Sequence, residues 1–120
     1  MILPPVEGVL VFSDAPDDPP PSRYIVAHVS VPRPHVELLG GPLTGSRSTV
    51  VFRVIAEGDT ERVAVDRCRW AASRLATAVE TWRPYGWRPV VMSASAPQMD
   101  RDVPDRLVAV AGLIVEVKTK

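Results

Sequence analysis

The sequence is poor in several features that define whole classes of protein. Its single cysteine, Cys68, excludes an internal disulfide and a zinc site built from several cysteines. Its 14 basic and 14 acidic residues leave no net charge, whereas a dedicated nucleic-acid binder carries a basic excess. The longest apolar run, 107–115, is too short to span a bilayer, and residues 1–8 lack the basic and apolar stretches of a signal peptide. These absences predict a soluble intracellular protein with no membrane partner.

One helix organises the rest of the chain. A length of 120 residues is the size of one domain, so residues 1–120 are interpreted as a single unit. The only clear helical period runs over 59–82, where apolar residues recur every three or four positions. This stripe consists of Ala64, Cys68, Ala71, Leu75, Val79 and Trp82. Asp59 or Thr60 is expected to cap the helix, Pro84 to end it, and Cys68 to be a buried, inert thiol.

Five strands are predicted, and period-two alternation is clearest in the second of them. They are predicted over 6–12, 24–31, 49–56, 87–93 and 106–118, with a second loop over 93–105. Together with the helix, the order is β-β-β-α-β-β. This order predicts an α+β fold in which a single antiparallel sheet carries one main helix packed on one face.

Two stretches rich in proline separate the early strands. Residues 13–22 contain Pro19-Pro20-Pro21 and predict a stiff link that holds the first strand away from its own domain, at the edge of a sheet. Residues 32–48 contain three prolines and three glycines and predict no regular element. This second stretch also carries apolar residues, namely Val36, Leu38, Leu39 and Leu43. We therefore predict a projecting loop that docks on another chain, with Arg33 and Arg47 at its rim.

The final strand is apolar on both of its faces. Val108, Val110 and Ile114 alternate with Leu107, Ala109 and Leu113. Because a single helix covers only one face of a sheet, the other face needs another cover, and a second subunit is the simplest one. Either set of residues is a candidate for that subunit contact.

No pattern of residues predicts catalysis, a metal site or a cofactor site. His28 and His35 have no partner at metal-ligand spacing, and the acidic loop residues lack the spacing of a calcium loop. The aromatic residues Trp82, Tyr85 and Trp87 cluster at the turn after the helix. Packing between helix and strand is the favoured interpretation of this cluster, and an interface anchor is the alternative.

Several short motifs together resemble one protein family. A strand ends in an Asp-x-Pro turn at 12–16 and a proline-rich link leads into Arg23-Tyr24-Ile25-Val26-Ala27-His28. Next come a glycine-rich loop and the run 52–60, which ends in Gly-Asp-Thr. These are followed by a helix with Cys68 and Leu75, a Pro-x-x-Asp-x-Asp-x-Pro loop at 97–104, and the long apolar strand. In these features the chain resembles the tail terminator (tail completion) proteins of long-tailed bacteriophages of actinobacterial hosts.

The resemblance implies a structural virion protein, not an enzyme, that works without a cofactor. Members of the family form a hexameric ring at the head-proximal end of the tail tube, stop tube polymerisation and join the tail to the neck. The implied partners are further copies of the chain, the major tail tube protein and a head–tail stopper or neck protein, while DNA only passes through the lumen. The implied location is the virion, after assembly in the host cytoplasm.

Two alternatives remain open. Many family members begin with an additional N-terminal helix that this sequence lacks, so another head–tail connector (stopper) or a minor tail protein is the first alternative. A small ligand-binding regulatory domain is the second, and it requires polar groups that converge in a concave site. The sequence contains no evident set of such groups.

Overall fold

A computed structural model describes residues 2–13, 22–30, 33–36 and 43–118, with the backbone alone for 33–36 and 43–46. In chain order the elements are β1 (Leu10–Phe12), β2 (Arg23–Val29), β3 (Arg33–Val36), β4 (Leu43–Gly58), α1 (Glu61–Thr81), β5 (Val90–Asp100) and β6 (Leu107–Lys118). A short 3₁₀ turn, Pro84–Gly86, follows α1. The predicted α+β fold, with one sheet and one main helix packed on it, is confirmed.

The strands form one sheet in the order β1-β2-β4-β6-β5, and β3 also pairs with β4. Every pair is antiparallel except β1 with β2, which run parallel, so the sheet is mixed and mostly antiparallel. The central pair is β4 with β6, which are in register from Arg47 opposite Lys118 to Gly58 opposite Leu107. β1 and β5 lie at the two edges.

The core lies between α1 and one face of the sheet. Alternate residues of β4, from Val50 to Ala56, point at the helix and are at most 1% exposed. The buried residues of α1 are Ala64, Cys68, Ala71, Leu75 and Val79, as the helical period predicts. Trp82 is also buried, and its ring meets the Phe52 ring edge-on with centroids 6.0 Å apart. The small side chains of the stripe let the helix approach the sheet closely.

The sharp connection between β4 and α1 depends on two residues. Thr60, rather than Asp59, caps the helix, because its Oγ1 accepts a hydrogen bond from the Val63 N–H at 3.2 Å. Gly58 lies so close to the first turn that a Cβ there would stand 2.5 Å from the Ala64 nitrogen. Glycine is therefore required where the chain leaves the sheet.

The segment before β1 packs on the helix instead of extending the first strand. The Trp82 Nε1–H donates to the Ile2 carbonyl at 2.9 Å, and Val6 and Val9 are buried. Gly8, at φ +78°, passes over Trp70, where a Cβ would lie 3.0 Å from the indole ring. The predicted strand over 6–12 is thus correct only for its last three residues. The prediction that this strand is held away from its own domain is wrong, since β1 pairs with β2 of the same chain.

A hairpin forms where the sequence predicts no regular element. β3 pairs with the first part of β4, with Arg33 opposite Arg47 and an irregularity of register after His35. Pro34 is tolerated because no described strand pairs with the other side of β3. β4 therefore spans 16 residues. At about 3.3 Å per residue this is roughly 53 Å, which matches the longest dimension of the molecule, 54 Å.

β5 is longer than predicted and reaches Asp100. The predicted second loop is thus wrong for its first half. Two irregularities of register, between Val91 and Ser93 and between Ser95 and Gln98, interrupt the pairing with β6. They break the period-two pattern on which strand prediction depends, and for this reason the second half of β5 does not read as a strand.

Candidate functional site

One face of the sheet has no helix packed over it among the residues that the structure describes, and we call it the free face. Its aliphatic residues on the three central strands are half-buried and adjacent: Val26, Val51, Ile55, Val110 and Ile114. Arg53 stands in their midst and is exposed. An apolar surface of this kind, centred on one cation, is typical of a site that another molecule covers.

Val108 occupies a corner of the free face that its own chain covers. It is only 6% exposed, and Val103 and Arg106 of the turn between β5 and β6 border a cavity of about 140 Å³ beside it. Arg106 forms an ion pair with Glu57, which lies opposite Val108 on β4. The hydrogen bond from Arg106 holds the pKa of the Glu57 carboxyl below its ordinary value. The prediction that a second subunit buries Val108 is therefore wrong.

The two predicted sets of β6 residues have different environments. Val110 and Ile114 lie half-buried on the free face, so their contact with another subunit stays a prediction. Ala109 is fully buried under α1 and Leu113 packs against the same core, so this set belongs to the interior of the domain. Only Leu107, at the start of β6, is more than a third exposed.

The predicted loop residues lie on or near the hairpin, and we define the arm as β3 together with residues 43–46. Arg33, Val36 and Leu43 take part in its ladder, while Leu38 and Leu39 lie outside the described residues. Residues 43–46 pair with β3 and with no other strand in the described part of the chain. At the base of the arm, Arg47 donates an Nη1–H to Glu116 at 2.6 Å. Its charge is therefore already engaged within the chain.

An open groove of about 470 Å³ runs beside Arg53 on the β5 side of the free face. Gly112 lines this groove and brings no side chain into it. A Cβ at this position would lie 3.0 Å from the Ser95 hydroxyl. Ser95, Gln98 and Asp100 place polar groups around it. The sequence does not reveal this groove, because only the strand order brings β4, β6 and the second half of β5 together.

A second surface that the sequence does not reveal is the segment 85–92, which we call the apolar edge. Five large apolar side chains there are 47–58% exposed: Tyr85, Trp87, Val90, Val91 and Met92. The prediction that the aromatic cluster packs between helix and strand is confirmed for Trp82 and wrong for Tyr85 and Trp87. Lys118 lies over the Trp87 ring, with its Nζ 4.0 Å from the centroid.

In the described ranges no group of three or more His, Cys, Asp or Glu residues is placed to hold a metal ion, and no helix there is long and apolar enough to cross a membrane. The Cys68 thiol is fully buried beside the Val54 carbonyl, 3.5 Å away. Comparisons with protein-family models, with curated proteins and with solved structures found no match to this chain. The functional argument therefore depends on the surfaces above and on the sequence motifs.

Proposed function

We propose that this protein is a structural virion protein that forms a ring, a hexamer, on the head-proximal end of a phage tail tube. In this role the ring stops polymerisation of the major tail tube protein and joins the tail to a head–tail stopper or neck protein. DNA passes through the lumen without being held. The protein is not an enzyme, needs no cofactor, and enters the virion after assembly in the host cytoplasm.

One observation carries this proposal. Among the described residues, the one-helix sheet leaves an apolar face free, and its central strand β4 continues into an arm whose two strands pair only with each other. A subunit of a ring can lay a strand pair that reaches past its own sheet on a neighbour. The sequence motifs shared with tail terminators point in the same direction.

The free face supplies the second contact surface in this proposal. Covering Val110 and Ile114 with a neighbour removes apolar area from water, worth about 25 cal/mol per Å². Arg53 is too exposed to need a partner within the chain and is suited to a carboxylate on the neighbour. The arm, with the predicted contact residues Leu38 and Leu39, is proposed to dock on the adjacent subunit or on the last ring of the tube.

A small ligand-binding domain is the second candidate, because the groove beside Arg53 has the convergent polar groups that the sequence does not reveal. A polar ligand held by Arg53, Ser95 and Gln98 would raise the thermal transition of the wild type, and Arg53→Ala would abolish that increase. A screen of small carboxylates by thermal shift separates this candidate from the first one. No shift with any carboxylate leaves the assembly role as the stronger candidate.

The direct test is assembly with the tube. If neighbouring genes encode a major tail protein and a tape-measure protein, the purified chain is added to that tail protein and tube length is measured by electron microscopy. We expect rings on tube ends and shorter tubes, and Ile114→Arg should abolish both. Ser73→Arg is the matched control, because Ser73 is exposed on α1. Binding to neck proteins without any effect on tube growth would instead favour the connector alternative.

A further inference from the structure

We propose that neighbouring subunits join through the two opposite edges of the sheet, with β5 of one copy pairing with β1 of the next. This inference rests on the proposed ring, because a contact between two different edges repeats around a closed ring. It concerns the apolar edge and β1, which are distinct from the free face and from the arm. It also explains why so much of the exposed apolar surface lies in one short segment.

The apolar edge is large enough to be an interface component. From the usual areas of half-exposed aromatic and aliphatic side chains, its five residues present on the order of 300–400 Å² of apolar surface. A standard interface buries about 800 Å² per partner, so this segment supplies a little under half of one side. β5 pairs with β6 on one side and with no described strand on the other, which leaves backbone donors and acceptors available.

The opposite edge offers a matching strip. Leu10 of β1 is 61% exposed, and Phe12 is half-buried with its ring 6.0 Å from that of Tyr24. Following the pairings across the sheet, β1 runs antiparallel to β5. A ring whose strands are tilted to its rotation axis, as in a barrel, keeps this relative direction, so the β1 of a neighbour meets β5 as an antiparallel partner, the more stable ladder.

The faces and the apolar positions of the two strips together select one register. Val11 and Val91 both point to the helix side, since their ladder partners Ile25 and Val115 are core residues. Phe12 and Val90 both point to the free-face side. Placing Val11 opposite Val91 therefore puts Phe12 opposite Val90 and Leu10 opposite Met92, and no apolar side chain changes face. Because Val11 lies level with Ala111, four residues from the Val91 partner Val115, this register displaces each copy by about 13 Å along the strands.

Both strips are short. β1 has 3 residues, and the regular ladder of β5 runs from Val90 to Val91 before an irregularity that contains Met92. An irregularity at an edge prevents further regular pairing. The contact is thus limited to a short ladder flanked by apolar side chains, including Tyr85 and Trp87 on the β5 copy.

Cysteine cross-linking tests the register. Within one chain residues 11 and 91 are separated by four strand spacings, about 19 Å, whereas a disulfide needs Cα atoms within about 7 Å. Any disulfide between them must therefore join two copies, and the buried native Cys68 does not compete. Val11→Cys and Val91→Cys are made separately with tags of different size, mixed, and oxidised with oxidised glutathione.

We expect a disulfide-linked dimer with one copy of each variant, and at least tenfold less dimer from either variant alone. The double variant should give a ladder that ends at the ring number. Thr77→Cys, on the exposed side of α1, replaces Val91→Cys in the control mixture and should not cross-link. Dimers of Val91→Cys alone would show a twofold contact of β5 with itself and overturn the proposal.

Mass photometry of the same samples separates the two proposals. Rings without the 11–91 disulfide overturn the edge contact and leave the proposed function intact. The disulfide in open chains without closed rings supports the edge contact and overturns the ring. Monomers with no cross-link at any concentration, or in the presence of tubes, overturn both.

Discussion

Raising the pH through the range from 9.0 to about 11 is expected to destabilise the fold through one side chain. The Cys68 thiol is fully buried on the inner stripe of α1, and this burial raises its pKa from 9.0 to about 11 because a thiolate is poorly solvated there. A hydrogen bond with the Ala111 backbone and the nearby charge of Arg69 oppose this increase in pKa and do not cancel it. The thiol should therefore be both inert and a source of pH dependence.

The sign and the size of the change in stability follow from proton binding by the folded and unfolded chains. Below pH 9.0 the folded and unfolded chains both keep the thiol proton, so Cys68 adds no pH dependence. Between pH 9.0 and about 11 the unfolded chain releases the proton and the folded chain keeps it, so unfolding becomes more favourable as the pH rises. At about 1.4 kcal/mol per pKa unit, the loss of stability is about 1.4 kcal/mol midway and approaches roughly 2.7 kcal/mol above the top of the range.

The measurement is urea denaturation at several pH values, followed by the fluorescence of the three tryptophans. Cys68→Ala is the matched reference, because it keeps every other titrating group and removes only the thiol. The difference between the two proteins should be constant below pH 9.0 and should shrink above it. Parallel loss of stability in both proteins would refute the reasoning, as would a native thiol that reacts with a thiol reagent as fast as the denatured one.

The remaining predictions concern packing and the arm. Leu75→Ala should lower the free energy of unfolding by about 3 kcal/mol in urea denaturation, because Leu75 is 1% exposed under the sheet. Leu107→Ala is the control and should lower it by less than about 1 kcal/mol, because Leu107 is 36% exposed. Equal losses of stability in the two variants would contradict the assignment of the core. Gly58→Ala should cost about 1–3 kcal/mol in thermal unfolding, since the new Cβ would clash with the Ala64 nitrogen, and an unchanged transition would contradict that close approach. Replacing residues 35–45 by a short Gly-Ser link keeps the Arg47–Lys118 pairing and should leave the thermal transition nearly unchanged. The same variant should give overlong tails or headless tubes by electron microscopy, and normal tail length would show that the arm is not needed.

The helix and the central strands are predictable from the sequence because each has a single dominant period. The stripe from Ala64 to Val79 repeats at helical spacing and has one possible cover, the sheet. The long β6 is predictable as a strand because it is apolar throughout, whereas its place beside β4 is known only from the structure. The burial of Cys68 follows from its place on the stripe and needs no knowledge of topology.

The hairpin, the segment before β1, the burial of Val108 and the groove depend on contacts between residues far apart in the sequence, which no local pattern contains. Pro34 and Gly45 are poor strand residues, yet they take part in a ladder because the neighbouring residues of β4 continue a strand that β6 already holds. Val6 and Val9 lie in the stretch 6–12 that is predicted as a strand, but they are buried in the core, an environment equally suited to apolar residues. Val108 is buried by a turn whose course over the sheet is set by Arg106 and Glu57. The groove beside Arg53 exists only once the strand order is known.

The shape of the two sheet edges bears on why such a protein would form a finite ring rather than an open sheet. A long regular edge invites unlimited pairing, but β1 has 3 residues and β5 loses its regular register just after Val91. A ladder this short is weak on its own, so the proposed contact needs a second surface, and the arm and the free face are the available ones. Because these surfaces point in different directions from the edges, they fix the angle between neighbouring copies. A ring forms only when the repeated rotation between copies returns to the first copy, and otherwise the copies build a fibre. Because the edge contact and the arm are both needed to set that rotation, they are expected to fail together when either one is removed.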